Sequence, residues 1–93
     1  MYKKIEWNVD KAKFLLESRG IDLSKVESLI REDRFRMEMV PNQLDHGGQR
    51  MFIVSLDGYA CCVPFVESED GNIFVKTAFW SRIAQKKYRG LLK

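Results

Sequence analysis

Positive charge and aromatic rings are concentrated in the last eighteen residues of the chain. The first 75 residues carry ten Lys or Arg against thirteen Asp or Glu, so the overall charge of +3 conceals a basic end beside an acidic remainder. Single-stranded RNA presents phosphates and stackable bases together, so this pattern favours RNA over a membrane surface as a partner. The alternative is a solvated helix face. Residues 76–93 contain no carboxylate and six basic side chains, Lys76, Arg82, Lys86, Lys87, Arg89 and Lys93, with Phe79, Trp80 and Tyr88 among them.

Three basic residues are candidates for phosphate binding. Arg82 comes first, because its planar guanidinium can hold two phosphate oxygens at once and the N-terminus of the helix predicted to begin there adds partial positive charge. Lys76 lies in the apolar stretch Ile73–Phe79, where it either extends from a sheet edge or lies on a working face. Arg50 follows a glycine-bearing loop and could bind phosphate or pair with Asp45.

Proton transfer and base stacking have candidates of their own. His46 is the only histidine, and its titration near neutrality suits a general acid or base, although a lone loop histidine is more often simply solvated. Lys86 and Tyr88 are further candidates for proton transfer, with packing of the Tyr88 ring on the sheet as the alternative. The remaining RNA-binding candidates are Lys87, Arg89 and Trp80.

The acidic residues and the cysteines do not form the pattern of a metal or redox site. Glu67, Glu69 and Asp70 fall in a predicted turn, where charged residues are ordinarily solvated. Cys61 and Cys62 are adjacent in a strand-like run, so their side chains point to opposite faces and we expect both to be buried and free. We therefore expect no metal and no cofactor, and activity without added metal.

Length and hydropathy bound the architecture. A chain of 93 residues predicts one domain, residues 1–93, with a modest core and room only for a shallow surface groove. The longest apolar run, Tyr59 to Val66, is too short to span a bilayer, and the N-terminus lacks a signal-peptide pattern. We therefore expect a cytoplasmic protein with no membrane partner.

Capping signals and apolar periodicity predict three helices. The first has Gly20 at its end, where a left-handed cap is expected. The second opens with the capping box Ser24-Lys25-Val26-Glu27. The predicted N-caps are Asn8, Ser24 and Ser81, the helices end near Arg19, Asp33 and residue 89, and the first helix has an apolar stripe of Val9, Ala12, Leu15 and Leu16.

Strand signals complete an α+β fold of the order β-α-α-β-β-β-β-α. We expect a small single domain with a mainly antiparallel sheet, two helices on one face and a basic C-terminal helix at the sheet edge. Asp57-Gly58 is the strongest hairpin signal, and residues 67–72 form a second turn. On the third helix Arg82, Lys86 and Arg89 share the side opposite Ala84. The predicted strands are 3–7, 34–40, 50–56, 59–66 and 73–79.

Several short runs occur in an order that resembles a known family. They resemble the small BrnT-like toxins of bacterial type II toxin–antitoxin systems, which share the compact fold of the RelE toxins. The likeness covers nearly the whole chain and agrees with the element order derived from periodicity. The runs are Glu6-Trp7-Asn8, Arg19-Gly20-Ile21, Pro41-Asn42-Gln43, Gln49-Arg50-Met51-Phe52, Asp57-Gly58-Tyr59, Val63-Pro64-Phe65-Val66-Glu67, Ile73-Phe74-Val75-Lys76-Thr77 and Ser81-Arg82 with Lys86-Lys87-Tyr88.

The resemblance implies an endoribonuclease toxin that cleaves RNA and arrests growth. Its partner would be a cognate antitoxin that holds it inactive, in this family typically a small ribbon-helix-helix protein. In such an enzyme the phosphate would contact Arg82, Lys76 and Arg50, and proton transfer would fall to His46, Lys86 or Tyr88.

Two positions depart from the family pattern. Relatives usually have Pro before the Ser-Arg pair and a basic residue after it, where this chain has Trp80 and Ile83. The missing cation beside Arg82 leaves the strength of RNA cleavage open. The alternative is a non-catalytic RNA- or protein-binding module, such as an inactive toxin homologue, that uses the same basic surface.

Overall fold

The computed structural model describes residues 4–40 and 49–90. Their element order confirms the predicted α+β class, with one strand more than expected. The elements are β1 (Ile5–Glu6), α1 (Val9–Arg19), α2 (Leu23–Arg31), β2 (Arg36–Met39), β3 (Arg50–Leu56), β4 (Tyr59–Glu67), β5 (Ile73–Val75), β6 (Phe79–Trp80) and α3 (Arg82–Lys87).

All six strands join one mixed sheet. Its order is β1-β5-β4-β3-β2, and β6 pairs with β4 beside this path. The short β1–β5 pair is parallel and the other four pairs are antiparallel, which confirms the prediction of a mainly antiparallel sheet. The central β3–β4 hairpin turns at Asp57 and Gly58, whose φ angles of 53° and 85° are both positive. Two successive positive φ angles belong to a type I′ turn, as Asp-Gly predicts.

The sheet buries apolar side chains on both faces. Phe52 and Val54 of β3 point towards Leu15 of α1 and Val26 of α2 in a large core cluster. The alternate residues Met51, Ile53, Ala60 and Cys62 form a smaller cluster with Ala84 of α3. The prediction of two helices on one face is confirmed. The prediction of α3 at the sheet edge was wrong, because β3 and β4 are apolar on both sides and α3 covers the second face.

Helix α1 begins and ends as predicted, but its apolar stripe is only partly buried. The Asn8 side chain accepts a hydrogen bond from the Lys11 N–H, and Gly20 has the left-handed φ of 68°. Leu15 is fully buried, whereas Val9 is 78% exposed and Leu16 is 53% exposed. Successive helical residues point about 100° apart, and here Leu15 faces the core while Leu16 lies at its exposed margin.

The predicted capping box of α2 was wrong. The N-cap is Asp22, whose carboxylate accepts a hydrogen bond of 2.9 Å from the Ser24 N–H. Ser24 therefore lies inside the first turn. The helix ends at Arg31, two residues earlier than expected, and Asp33 takes a left-handed φ of 60°.

The predicted strand 73–79 is divided into two. Between β5 and β6 the three residues Lys76–Ala78 face only Val63 and Pro64 of β4, which makes a one-residue bulge. The Lys76 N–H donates to the Pro64 carbonyl at 2.9 Å, so the nitrogen of Pro64, which carries no hydrogen, points to the same neighbour. A proline inside a sheet requires such an interruption of the ladder.

Candidate functional site

A carboxylate, a phenol and an ammonium group meet on the sheet face that α3 covers. The Tyr88 hydroxyl donates a hydrogen bond to the Glu38 carboxylate, and the Lys87 Nζ lies 2.8 Å from the same carboxylate oxygen. Glu38 lies on β2, fifty positions before Tyr88. Its side chain keeps 27% of its surface exposed, so solutes can reach it. We call Glu38, Lys87 and Tyr88 the Glu38 cluster.

The three groups of the Glu38 cluster shift one another's pKa values. Hydrogen bonds from Lys87 and then Tyr88 lower the pKa of Glu38. The hydrogen bond to Glu38 raises the pKa of Lys87, and the one from Tyr88 to Glu38 raises the pKa of Tyr88. At neutral pH the cluster therefore holds one ionised acceptor beside two proton donors.

Polar contacts with β4 position α3 above the smaller core cluster. The Ser81 hydroxyl caps the helix by accepting from the Ala84 N–H at 3.0 Å, which confirms the predicted N-cap. The Gln85 side chain accepts a hydrogen bond of 2.8 Å from the Ala60 N–H. The helix ends at Lys87, two residues earlier than predicted, so Tyr88 is its C-cap.

The outer side of α3 carries the predicted basic stripe. Arg82, Lys86 and Arg89 are all exposed, on the side opposite the buried Ala84. On β2 the exposed Arg36 lies two residues before Glu38, so the two side chains share a face of the strand. The described part of the basic tail, residues 76–90, contains no carboxylate, so Glu38 provides an acceptor for it from a different element.

Arg50 is not brought to the Glu38 cluster. It lies 2.5 Å from the Glu67 carboxylate and 5.5 Å from the centre of the Phe65 ring. Because Arg50 alternates with Met51 of the smaller core cluster, it belongs to the opposite face of the sheet. Asp45, the expected alternative partner of Arg50, lies outside the described residues.

Lys76 is also separate from the Glu38 cluster. It lies in the bulge after β5, with its Nζ 5.9 Å from the Phe74 ring centre. Three strand-to-strand steps, about 14 Å at 4.7–4.9 Å each, separate β5 from β2. Lys76 instead lines a surface depression of about 550 Å³ together with Asn8, Asp10, Lys11, Phe14, Phe74 and Val75.

Trp80 fastens α1 to β6. Its Nε1–H donates a hydrogen bond of 2.7 Å to the Arg19 carbonyl, and the Arg19 guanidinium donates one of 2.6 Å to the Ala78 carbonyl. The Trp80 ring meets Tyr59 edge-on at 6.2 Å and packs against the large core cluster. We call these two hydrogen bonds the α1–β6 clasp. They give Trp80 a structural role that competes with the predicted stacking on RNA.

The remaining predicted site residues differ in whether they have a partner in the structure. His46 lies outside the described residues. Tyr88 packs against the smaller core cluster, as the alternative predicted, and its hydroxyl is hydrogen-bonded to Glu38. Its part in proton transfer stays a prediction. Lys87 pairs with Glu38, while Lys86 and Arg89 point to solvent.

Sequence reasoning missed Glu38, Arg36, Phe14 and Phe74. Glu38 and Arg36 alternate with Met37, which packs on the large core cluster, so their common direction could have been read from the strand period. Phe74 alternates with the buried Ile73 and Val75 in the same way. The proximity of Glu38 to Tyr88 at the end of α3, and of Phe74 to Phe14 of α1, depends on tertiary packing and leaves no local signal.

The cysteines behave as predicted. Both are free and buried. Burial raises the pKa of Cys61 to about 12, and it also raises the pKa of Cys62, so neither is a thiolate at neutral pH. Residues 4–40 and 49–90 contain no group of three or more His, Cys, Asp or Glu side chains that could hold a metal ion. The same ranges contain no helix long and apolar enough to cross a membrane.

Comparison with known proteins identifies no relative. No family model, curated protein or solved structure matches this chain.

Proposed function

We propose that the protein is a metal-independent endoribonuclease, the toxin of a bacterial type II toxin–antitoxin pair. The resemblance to BrnT-like toxins implies this activity, and the hydrogen bond from Tyr88 to Glu38 beside Lys87 carries the proposal. It brings together an ionised acceptor, a proton donor and a cation. Attack of an RNA 2′-hydroxyl on the adjacent phosphate requires these three kinds of group.

Glu38 is the proposed general base. The carboxylate accepts the 2′-hydroxyl proton while the 2′-oxygen forms a bond to phosphorus. The bond from phosphorus to the 5′-oxygen then breaks, and the products end in a 2′,3′-cyclic phosphate and a 5′-hydroxyl. The exposed part of the Glu38 side chain is the route by which the 2′-hydroxyl reaches it.

Tyr88 is the proposed general acid. It donates its proton to the departing 5′-oxygen. Glu38 is the main cause of the raised pKa of Tyr88, so protonation of Glu38 by the 2′-hydroxyl lowers that pKa and eases donation. The hydrogen bond between the two residues returns the proton from Glu38 to Tyr88 afterwards, which restores the starting state.

Cations stabilise the phosphate on which the reaction takes place. Lys87 lies beside Glu38 and is the proposed contact for the non-bridging oxygens that gain charge in the transition state. Arg82, Lys86 and Arg89 along α3 hold the flanking phosphates. Such contacts weaken with added salt, because binding releases counterions from the RNA.

The test is cleavage of a defined RNA by purified protein in EDTA, comparing wild type with Glu38→Gln. We expect the wild type to produce 2′,3′-cyclic phosphate ends and the variant to cleave about 100-fold or more slowly, the usual loss when a general base is removed. Glu69→Gln is the matched control, because it removes a similar carboxylate from an exposed turn.

The outcomes separate cleavage from binding. Equal rates for wild type and Glu38→Gln would remove Glu38 from the mechanism. No cleavage by wild type, with salt-sensitive RNA binding retained, would favour the non-catalytic binding module. Two ion pairs support that alternative, because they engage groups that cleavage would need free. Glu38 is paired with Lys87, and Arg50 is paired with Glu67.

The antitoxin is proposed to cover the same surface as RNA. Ile83 is 81% exposed on α3. It follows Arg82 and lies about one helical turn before Lys86 and Lys87, and an exposed apolar side chain beside cations suits a protein interface. We expect bound antitoxin to block crosslinking of RNA to α3. Undiminished crosslinking in the complex would show that the two partners use different surfaces.

A further inference from the structure

A depression beside α1 combines two exposed aromatic rings with cations. Phe14 of α1 is 48% exposed and Phe74 of β5 is 41% exposed, and both line this depression of about 550 Å³. The Nζ of Lys11 lies 5.6 Å from the Phe14 ring centre, and that of Lys76 lies 5.9 Å from the Phe74 ring centre. Apolar side chains that line one depression rimmed by polar residues are typical of a ligand-binding groove.

We propose that this depression binds an unpaired nucleotide of RNA, with the base stacked on the phenyl rings and the phosphates on Lys11 and Lys76. The inference rests on the proposed function, since it adds a second contact for the same substrate. Aromatic faces beside lysines are the combination that single-stranded nucleic acid recognises.

Charge and polar groups favour this occupant. The depression is lined by two cations, Lys11 and Lys76, and one carboxylate, Asp10. Arg19 lies nearby, with its guanidinium carbon 5.7 Å from the Phe14 ring centre. Asp10 and the Asn8 amide supply an acceptor and a donor at the rim for the edge of a base. A purely apolar partner would leave these groups without a role.

The depression and the Glu38 cluster lie on strands about 14 Å apart across the sheet. A nucleotide bound at Phe74 is therefore not the one being cleaved. The depression would hold a flanking nucleotide and tighten binding without taking part in proton transfer. Substitutions there should raise KM and leave kcat unchanged.

The experiment uses full-length protein and a labelled single-stranded RNA of about ten nucleotides whose 2′-O-methyl groups prevent cleavage. Binding is measured by fluorescence anisotropy for wild type, Phe74→Leu and Phe14→Leu. We expect each substitution to weaken binding about tenfold, because loss of one base–aromatic stack has an effect of this order. Val66→Ala is the control for Phe74, since Val66 is its cross-strand neighbour and is similarly exposed.

The lysine contacts have a control on the same helix. Lys11→Ala should weaken binding and lower the salt dependence by about one phosphate contact. Lys13→Ala removes the same charge from α1 but lies outside the depression, and it should bind as wild type does. A series of RNAs with one abasic nucleotide at successive positions should include one position at which wild-type protein binds more weakly. Phe74→Leu should bind that RNA and the intact RNA equally.

The results that overturn this inference differ from those that overturn the proposed function. Wild-type affinity in Phe14→Leu and Phe74→Leu would remove the depression from RNA binding, whatever the cleavage assay shows. Loss of binding to polyglutamate with unchanged binding to RNA would assign the depression to an acidic protein partner instead. Absence of RNA cleavage by wild type in EDTA would overturn the proposed ribonuclease activity. The RNA affinities of wild type, Phe14→Leu and Phe74→Leu would still decide whether the depression binds RNA.

Discussion

The two faces of the sheet differ in what they bury and in what they expose. Fifteen of the described residues form the large cluster beneath α1 and α2. Five form the smaller cluster beneath α3. The Glu38 cluster lies at the margin of this smaller cluster, because the Tyr88 ring packs against it while the Tyr88 hydroxyl binds Glu38. The first face holds most of the buried apolar surface, and the second holds the proposed chemistry.

This difference shows how a small domain can carry polar groups near its core. A helix held by a few apolar residues relies on capping and side-chain hydrogen bonds, here those of Ser81 and Gln85. Such bonds contribute about 1 kcal/mol each, far less than a filled core. Substitutions on the two faces should therefore separate folding from function.

The largest expected effect is on stability, from Phe52→Ala in the large core cluster. Phe52 is fully buried, stacks on Phe65 at 4.2 Å and meets Phe35 edge-on at 5.0 Å. Its truncation should lower the free energy of unfolding by about 3–5 kcal/mol, measured by urea denaturation. Met51→Ala on the smaller face should cost about 2 kcal/mol. If Met51→Ala cost as much as Phe52→Ala, the contrast between the faces would fail.

Tyr88→Phe should separate activity from folding on the smaller face. It removes the proton donor and keeps the ring that packs on this cluster, so single-turnover cleavage should fall about 100-fold. The urea midpoint should change little, because the lost hydrogen bond is part-buried. A midpoint shift as large as that of Met51→Ala would instead show a structural role. Tyr59→Phe provides the control for loss of a hydroxyl group elsewhere.

Ser81→Ala should have a smaller and local effect. Removal of this N-cap should destabilise α3 by about 1 kcal/mol. Hydrogen exchange should accelerate at Ala84 and Gln85 while the amides of β3 and β4 keep their protection. Equal acceleration in all of these elements would mean that α3 does not open separately from the sheet.

The smallest expected effect is that of pH on cleavage. The pKa of Glu38 is lowered and that of Tyr88 is raised, so the acid limb should fall below about pH 4.3 and the alkaline limb above about pH 10. The rate should be constant between about pH 6 and pH 9. A limb near pH 6.5 would point to His46 as the base. The stability supplied by ionised Glu38 is present at neutral pH and is lost as the pH falls through its lowered pKa.

Local signals in the sequence were sufficient for much of the fold. Helix ends lie at the predicted residues Asn8, Gly20 and Ser81, and the strand 50–56 has the predicted limits. Asp57-Gly58 forms the expected turn because Asp-Gly is one of the few pairs that readily adopt two positive φ angles.

The predictions that failed depend on neighbours in space. The break between β5 and β6 arises because Pro64 offers no N–H to the strand beside it, which is evident only once β4 and β5 are paired. Likewise Glu38 resembles any charged strand residue until β2 and α3 meet. The basic stripe of α3 was visible in the sequence, but its carboxylate partner was not.

The α1–β6 clasp lies between the two proposed RNA contacts, the depression beside α1 and the basic side of α3. Trp80, whose indole holds the end of α1, directly precedes Ser81, the residue that caps α3. A pull on α1 from a nucleotide seated at Phe14 therefore reaches the first turn of α3 through a single peptide unit. The clasp therefore connects α1 directly to the N-terminus of α3, the helix that carries Lys87 of the Glu38 cluster.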